Sequence, residues 1–116
     1  MISTEAFSAI ALSFPEAVAA PHFDRTAFKV KKIFATLHQA SLTANLKLAP
    51  GDQAAFCAID ASVMYPVPNK WGLQGWTTVV LETVDEDLLV DALTCAYIAN
   101  VPAKLAAPYI AEREKK

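Results

Sequence analysis

Apolar positions near the start of the chain recur every three or four residues. They fall at i, i+3, i+4 and i+7 and are Phe7, Ile10, Ala11 and Phe14. This spacing predicts an amphipathic helix over residues 4–14. Ser3 or Thr4 can cap it with a hydroxyl, and Pro15 ends it because proline lacks the N–H of a helix interior. Residues 15–26, which contain a second proline at Pro21, read as an irregular connector.

The pattern then changes to alternation. Residues 27–31 place Phe28 and Val30 on one side and Lys29 and Lys31 on the other, which predicts a half-buried strand. Residues 33–37 predict a second strand after a tight turn at Lys31 and Lys32, and residues 41–48 alternate again. Three such strands in succession are typical of an antiparallel meander with one solvated face.

The second half of the chain alternates between helical and extended signals. A short helix is expected over residues 50–59, with Phe56 and Ile59 buried, then a strand over residues 63–67 and a turn over residues 68–72. Residues 77–81 predict another strand. A helix over residues 85–99 has the apolar stripe Leu88, Leu89, Ala92, Leu93, Ala96 and Tyr97.

These elements predict an α+β fold, an antiparallel sheet packed against N- and C-terminal helices. Residues 1–110 are expected to form a single domain and residues 111–116 a solvated tail. Apolar residues make up 54% of the 116-residue chain and charged residues 19%, which excludes the composition of a disordered segment.

Composition also bears on location. No apolar stretch is long enough to span a bilayer, and the apolar run near the start lacks the basic region of a signal peptide. Cys57 and Cys95 lie on predicted helices and do not indicate a disulfide framework. A cytoplasmic location is therefore expected.

Charge is distributed unevenly although the net charge is only −2. Residues 25–51 contain five basic side chains and no acidic one: Arg25, Lys29, Lys31, Lys32 and Lys47. Residues 71–103 contain five acidic side chains and no basic one. Side chains of the first group can neutralise phosphates, but an ordinary solvated sheet face has the same composition.

Two tryptophans mark the segment between residues 64 and 76. Trp71 and Trp76 flank a pair of glycines, and Lys70 lies beside the first. Exposed tryptophans could stack on bases or anchor a partner, whereas buried ones would hold the loop on the core.

The residues that could carry catalysis or bind a metal are few. His22 and His38 lie far apart and match no metal-binding spacing, and no nucleophile elbow or glycine-rich phosphate loop is present. The acidic residues 85–87 fit the cap and first turn of a helix. We therefore expect no enzymatic activity, no metal and no cofactor.

Several strings resemble the MmcQ/YjbR family. Residues 14–17 (FPEA) are similar to its exit from the first helix, and residues 28–37 (FKVKKIFATL) to its hairpin. Residues 67–72 (VPNKWG), 75–77 (GWT) and 84–89 (VDEDLL) are similar to its Trp-Gly segment and the helix that follows. The resemblance implies a frataxin-like layered fold and, for some members, DNA binding through a double-wing arrangement. The iron binding of frataxin is not expected, because it relies on a row of carboxylates along the first helix and that region here offers only Glu5 and Glu16.

Two hypotheses follow. The first is a weak, sequence-independent DNA-binding protein that uses Arg25, Lys29, Lys31, Lys32 and Lys47. The second is a protein- or small-ligand-binding module centred on the Met64–Trp76 loop, with Lys70, Trp71 and Trp76 as its contact residues. In either case the protein is expected to be a monomer or a weak homodimer that does not bind membranes.

Overall fold

The computed structural model describes residues 1–114, which form five helices and six strands. The helices are α1 (Thr4–Leu12), α2 (Pro50–Ile59), α3 (Lys70–Leu73), α4 (Glu86–Asn100) and α5 (Ala103–Glu114). The strands are β1 (Val18–His22), β2 (Arg25–Lys29), β3 (Ile33–His38), β4 (Thr43–Lys47), β5 (Met64–Pro66) and β6 (Trp76–Val80).

The six strands form one sheet in the order β1-β2-β3-β4-β6-β5, and every neighbouring pair is antiparallel. The edge strands are β1 and β5, and each contains a proline, Pro21 and Pro66. Proline cannot donate to a ladder hydrogen bond, so an edge is where a sheet accommodates it.

The register sorts the side chains by face. Ala35 pairs with Phe28 on one side and Leu46 on the other, and Leu46 pairs with Thr77, so these side chains share one face. All four are buried. Helices cover this face: the Phe7 ring of α1 lies 5.7 Å from the Phe28 ring, and α4 packs on β3 and β4.

A β-bulge places an extra large side chain on the buried face. Phe28 pairs with Ala35 but Lys29 pairs with Ile33, which leaves Phe34 as an additional residue on β3. A bulge of this kind turns two consecutive side chains toward the same side. Phe34 and Ala35 are accordingly both buried in the same core.

An aromatic cluster joins the chain's first and last helical regions. The Tyr97 ring of α4 stacks on Phe14 with a centroid distance of 4.7 Å and meets Phe34 and Tyr109 edge-on at 5.6 Å and 5.4 Å. Its hydroxyl donates to the Pro15 carbonyl oxygen at 2.8 Å. Tyr97 therefore connects α4 to α5 and to the exit of α1.

The predicted α+β class, with an antiparallel sheet against N- and C-terminal helices, is confirmed. Three local expectations were wrong. Residues 18–22 form a strand rather than part of an irregular connector, because Pro21 lies at the sheet edge. The next strand ends at Lys29, so Lys31 lies in the connection instead of on the strand. Ile59, expected to be buried, is 62% exposed.

The C-terminal helix α5 was also missed. Pro108 lies inside it, where it removes one backbone N–H and predicts an interruption. Residues 111–114, expected to belong to a solvated tail, continue this helix and are exposed, whereas residues 115–116 lie outside the described part of the chain. Within residues 1–114, no helix is long and apolar enough to cross a membrane.

The aromatic cluster allows a test of its contribution to stability. We expect Tyr97→Phe to lower the free energy of unfolding by about 1 kcal/mol, the usual net value of one hydrogen bond. Tyr97→Ala should cost about 3–5 kcal/mol, because it leaves a cavity where four rings meet. Urea unfolding followed by circular dichroism measures both changes, and equal costs for the two variants would contradict this account.

Candidate nucleic-acid interface

The sheet face opposite the helices presents polar and basic side chains. Alternation along the strands and the pairings Thr36–Asn45, Asn45–Thr78 and Lys47–Trp76 place these residues together. We call this surface the open face and define it by Arg25, Lys29, Thr36, Thr43, Asn45, Lys47, Trp76 and Thr78. One carboxylate lies beside it: Asp24 contacts His38, which pairs with Thr43 on this face. The acidic first turn of α4 belongs to the helices that cover the other face.

The five basic residues predicted as a site are not all on this surface. Arg25 and Lys29 lie on β2 and Lys47 on β4, so the open face holds three of them. Lys31 and Lys32 are exposed in the connection between β2 and β3. The structure thus groups three basic residues on the sheet and places the other two in the loop beyond one end of β2.

A groove of about 220 Å³ crosses the open face. We call it the Trp groove; its lining residues are His22, Arg25, Thr36, Asn45, Val67, Trp71 and Trp76. It brings together residues from both sequence hypotheses, since Arg25 came from the basic group and the tryptophans from the loop. His22 was not predicted because it lies on β1, a strand that the sequence did not reveal. Thr36 lies on β3 and Val67 follows β5, and their place in the groove depends on the strand order.

Neither tryptophan belongs to the hydrophobic core. Trp71 is 50% exposed, and Trp76 is half-buried on β6. The Lys70 ammonium group lies 6.0 Å from the centre of the Trp71 ring, at the outer limit of a cation–π contact. The indole rings are thus accessible from the open face.

The position of Trp71 is fixed by backbone contacts on both sides of it. Asn69 caps the short helix α3 by accepting a hydrogen bond from the Trp71 N–H at 2.8 Å. Gly75 has a φ of +105°, and a Cβ there would collide with the Leu48 carbonyl oxygen. A Cβ at Gly72 would collide with the Val67 carbonyl oxygen in the same way. The two glycines allow the loop to approach its neighbours closely.

A side chain from α2 completes this support. The Gln53 amide donates to the Gly72 carbonyl oxygen at 2.9 Å, the Thr77 hydroxyl at 3.1 Å and the Trp76 carbonyl oxygen at 3.3 Å. Sequence reasoning missed Gln53, since a single glutamine in a short helix carries no signal of its own. The loop is consequently held from the sheet and from a helix.

Arg25 has an unusual environment in the groove. Its Nη1 atom is the one buried side-chain nitrogen or oxygen without a hydrogen-bond partner among the described residues. The adjacent carboxylate, Asp24, is engaged by His38, whose Nε2 lies 3.0 Å from Asp24 Oδ2. Leaving a buried donor of a charged group unsatisfied is costly. Nη1 itself is enclosed by the protein, so an external acceptor can reach Arg25 only through the part of its side chain that lines the groove.

The remaining candidate residues have structural partners. His38 also contacts the Ser41 hydroxyl, 2.6 Å from its Nδ1. Asp85 Oδ2 caps α4 by accepting from the Asp87 and Leu88 N–H groups at 3.1 Å and 3.4 Å. Residues 1–114 contain no group of three His, Cys, Asp or Glu side chains that could hold a metal ion.

The YjbR family model matches residues 12–99. The chain belongs to the YjbR family. The match spans the sheet, the tryptophan loop and all but the last residue of α4. Every residue that lines the Trp groove therefore lies within the family domain. No curated protein matches this sequence.

A solved structure shows the same YjbR-like architecture. It is the crystal structure of Deinococcus radiodurans protein DR2400, described as a DUF419 domain. The two share a TM-score of 0.73 and 22% sequence identity, over 85% of this chain and 78% of that one. At this identity the likeness establishes the fold.

The close backbone contacts at Gly75 predict that a side chain at this position would destabilise the protein. We expect Gly75→Ala to lower the free energy of unfolding by about 2–4 kcal/mol, from left-handed backbone strain and the clash with Leu48. Gly51→Ala is the matched control, because a Cβ at that helical position meets nothing within 4 Å. It should be neutral or stabilise by up to about 1 kcal/mol. Urea unfolding compares the two, and a Gly75→Ala protein as stable as the control would be the contrary result.

The cysteines give a prediction about reactivity. Burial raises the pKa of the Cys95 thiol, Asp52 and Asp91 act in the same direction, and Arg113 opposes them. Burial also raises the pKa of Cys57, which is only half-buried. Because the thiolate is the reactive form, iodoacetamide at pH 7 should label the exposed part of Cys57 slowly and the buried Cys95 more slowly still.

Mass spectrometry of the labelled peptides measures both rates. In 6 M urea, on the order of the concentration that unfolds small domains, the two cysteines should react alike. Faster labelling of Cys95 in the folded protein would show an activated thiol and revive a catalytic interpretation.

Proposed function

We propose that this YjbR domain is a non-enzymatic nucleic-acid-binding protein that uses the open face of its sheet. The observation that carries the proposal is the grouping of Arg25, Lys29 and Lys47 on one face of the sheet, beside two accessible tryptophans. Cationic side chains neutralise phosphates and release counterions, while aromatic rings contact bases.

Binding of this kind is mostly independent of sequence. Lys29 and Lys47 can reach phosphates, and the Thr43 and Thr78 hydroxyls on the same surface can add hydrogen bonds to the backbone of a nucleic acid. Asn45 is the amide among these residues, and its Oδ1 already accepts from the Thr78 hydroxyl at 2.9 Å. Such contacts position a nucleic acid without reading its sequence.

The distribution of charge over the molecule supports nucleic-acid binding at the open face. Net charge is −2, so the whole protein does not attract a polyanion. Attraction must come from a local cluster, and the separation of the open face from the acidic start of α4 provides one. The affinity expected from three phosphate contacts is weak and depends on salt.

Salt titration tests the proposal. With three basic side chains on phosphates, the slope of log K against log salt concentration for duplex DNA should be about −3. Lys47→Glu should weaken binding at low salt by about tenfold or more, because it replaces attraction by repulsion at the face.

Lys104→Glu is the matched control. It makes the same change in net charge on α5, which packs against α4 on the far side of the sheet. Equal losses from the two substitutions would show that only net charge matters and would contradict an interface on the open face. Absence of binding to any nucleic acid at low salt would remove the proposal.

A second candidate function, recognition of a protein partner, is favoured by the apolar surface of α3. Trp71 belongs to a residue type that is enriched at interface hot spots and is 50% exposed, and Leu73 of the same short helix is 88% exposed. Leu73 does not line the Trp groove. Its substitution should therefore weaken a protein complex but leave nucleic-acid binding unchanged.

A further inference from the structure

The Trp groove combines aromatic rings with a cation that has no partner in the protein. Trp71 and Trp76 belong to its lining, and Arg25 belongs to the same lining. Polar groups of Thr36 and Asn45 complete it on the sheet side. Rings, a cation and a few polar groups in one concave site are the composition of a small-ligand site.

The charge of Arg25 is not neutralised within the protein. The neighbouring carboxylate, Asp24, contacts His38 Nε2 at 3.0 Å, and no salt bridge of Arg25 is found within residues 1–114. Arg25 is partly exposed and lines the groove, so an anionic oxygen in the groove can make a charge-assisted hydrogen bond with its guanidinium group. The groove therefore favours an anion at its Arg25 end.

The size of the groove limits what can accompany that anion. Its volume of about 220 Å³ is below the roughly 300–1,000 Å³ of sites for drug-sized ligands. One planar ring system fits a space of this scale and can stack on an indole. Asn45 uses its carbonyl oxygen for Thr78, so its amide N–H groups remain as donors to a ring edge.

We propose that the Trp groove binds a planar ring that carries a nearby anionic group, the chemistry of an unpaired nucleotide. The ring stacks on Trp71 and the anionic oxygen bonds to Arg25. This inference rests on the proposed function and narrows it: nucleic acid on the open face is single-stranded at the groove. In a duplex the bases stack on one another, and their faces are not available to an indole.

The groove and the lysines then contact different parts of a nucleic acid. Lys29 and Lys47 lie on the open face but outside the groove lining, where they can take phosphates of either a single strand or a duplex. Only the groove distinguishes the two forms, because only it requires an exposed base. Preference for a single strand should therefore depend on Trp71 and not on the lysines.

The test compares a labelled 12-nucleotide single strand with the duplex of the same sequence by fluorescence anisotropy. Trp71→Ala should weaken single-strand binding about 5- to 150-fold, the range for loss of one base–indole stack, and change duplex binding less than about twofold. Arg25→Gln should weaken single-strand binding about tenfold or more. Trp71 is half-exposed, so its removal should leave the thermal unfolding transition nearly unchanged.

Two matched controls accompany these variants. Leu73→Ala removes an exposed apolar side chain from the same short helix without touching the groove, and Lys104→Gln removes one positive charge from α5. Both should retain single-strand binding within about twofold. Losses as large as those of Trp71→Ala and Arg25→Gln would contradict a site in the groove.

Titration with a mononucleotide distinguishes a free nucleotide from a nucleotide within a strand as the ligand of the groove. Adenosine monophosphate should quench the tryptophan fluorescence of the native protein, and Arg25→Gln should abolish the effect. If mononucleotide binds but no oligonucleotide does, the groove takes a free planar anion, and the single-strand claim is overturned together with the proposed function.

The remaining outcomes distinguish failure of the single-strand inference from failure of the proposed nucleic-acid binding. Salt-dependent duplex binding that is as strong as single-strand binding and unaffected by Trp71→Ala would overturn the inference and leave the proposed function in place. Binding of neither oligonucleotides nor mononucleotide would overturn both.

Discussion

Burial of one face of the sheet is the constraint on which the other features depend. Apolar side chains alternate along the central strands, so the antiparallel sheet has one face that must leave water. The helices α1, α2 and α4 all cover that face, and α5 packs on α4. The Phe34 bulge and the Tyr97 cluster add volume to the same side. The opposite face is thereby left for charge, amides and the tryptophan loop.

Much of this arrangement could be predicted from the sequence, because it follows from local periodicity. Alternation in β4 and the long apolar stripe of α4 give the correct elements and the correct inward side. The failures occur where tertiary position overrides a local signal. Pro21 reads as a chain break but is tolerated at a sheet edge, and Pro108 reads as a helix stop but lies within α5.

The candidate site was predictable only in parts. Arg25 and the two tryptophans carry chemical signals of their own, charge and large aromatic surface, and each was singled out. Their meeting in one groove depends on strand order and on a register that no local pattern specifies. Gln53, which holds the loop from α2, has no signal at all before the fold is known. The hydrogen bonds of Gln53 restrain the loop, which lowers the ordering entropy that binding in the groove would cost.

The prolines at the two sheet margins have a consequence for how the molecule meets others. Pro21 in β1 and Pro66 in β5 each leave a gap in the row of backbone donors that an added strand would need. Stacking of copies edge to edge into longer sheets is disfavoured at both ends. Growth of the six-stranded sheet by addition of a strand at either edge is therefore opposed by the backbone itself, without help from charged side chains.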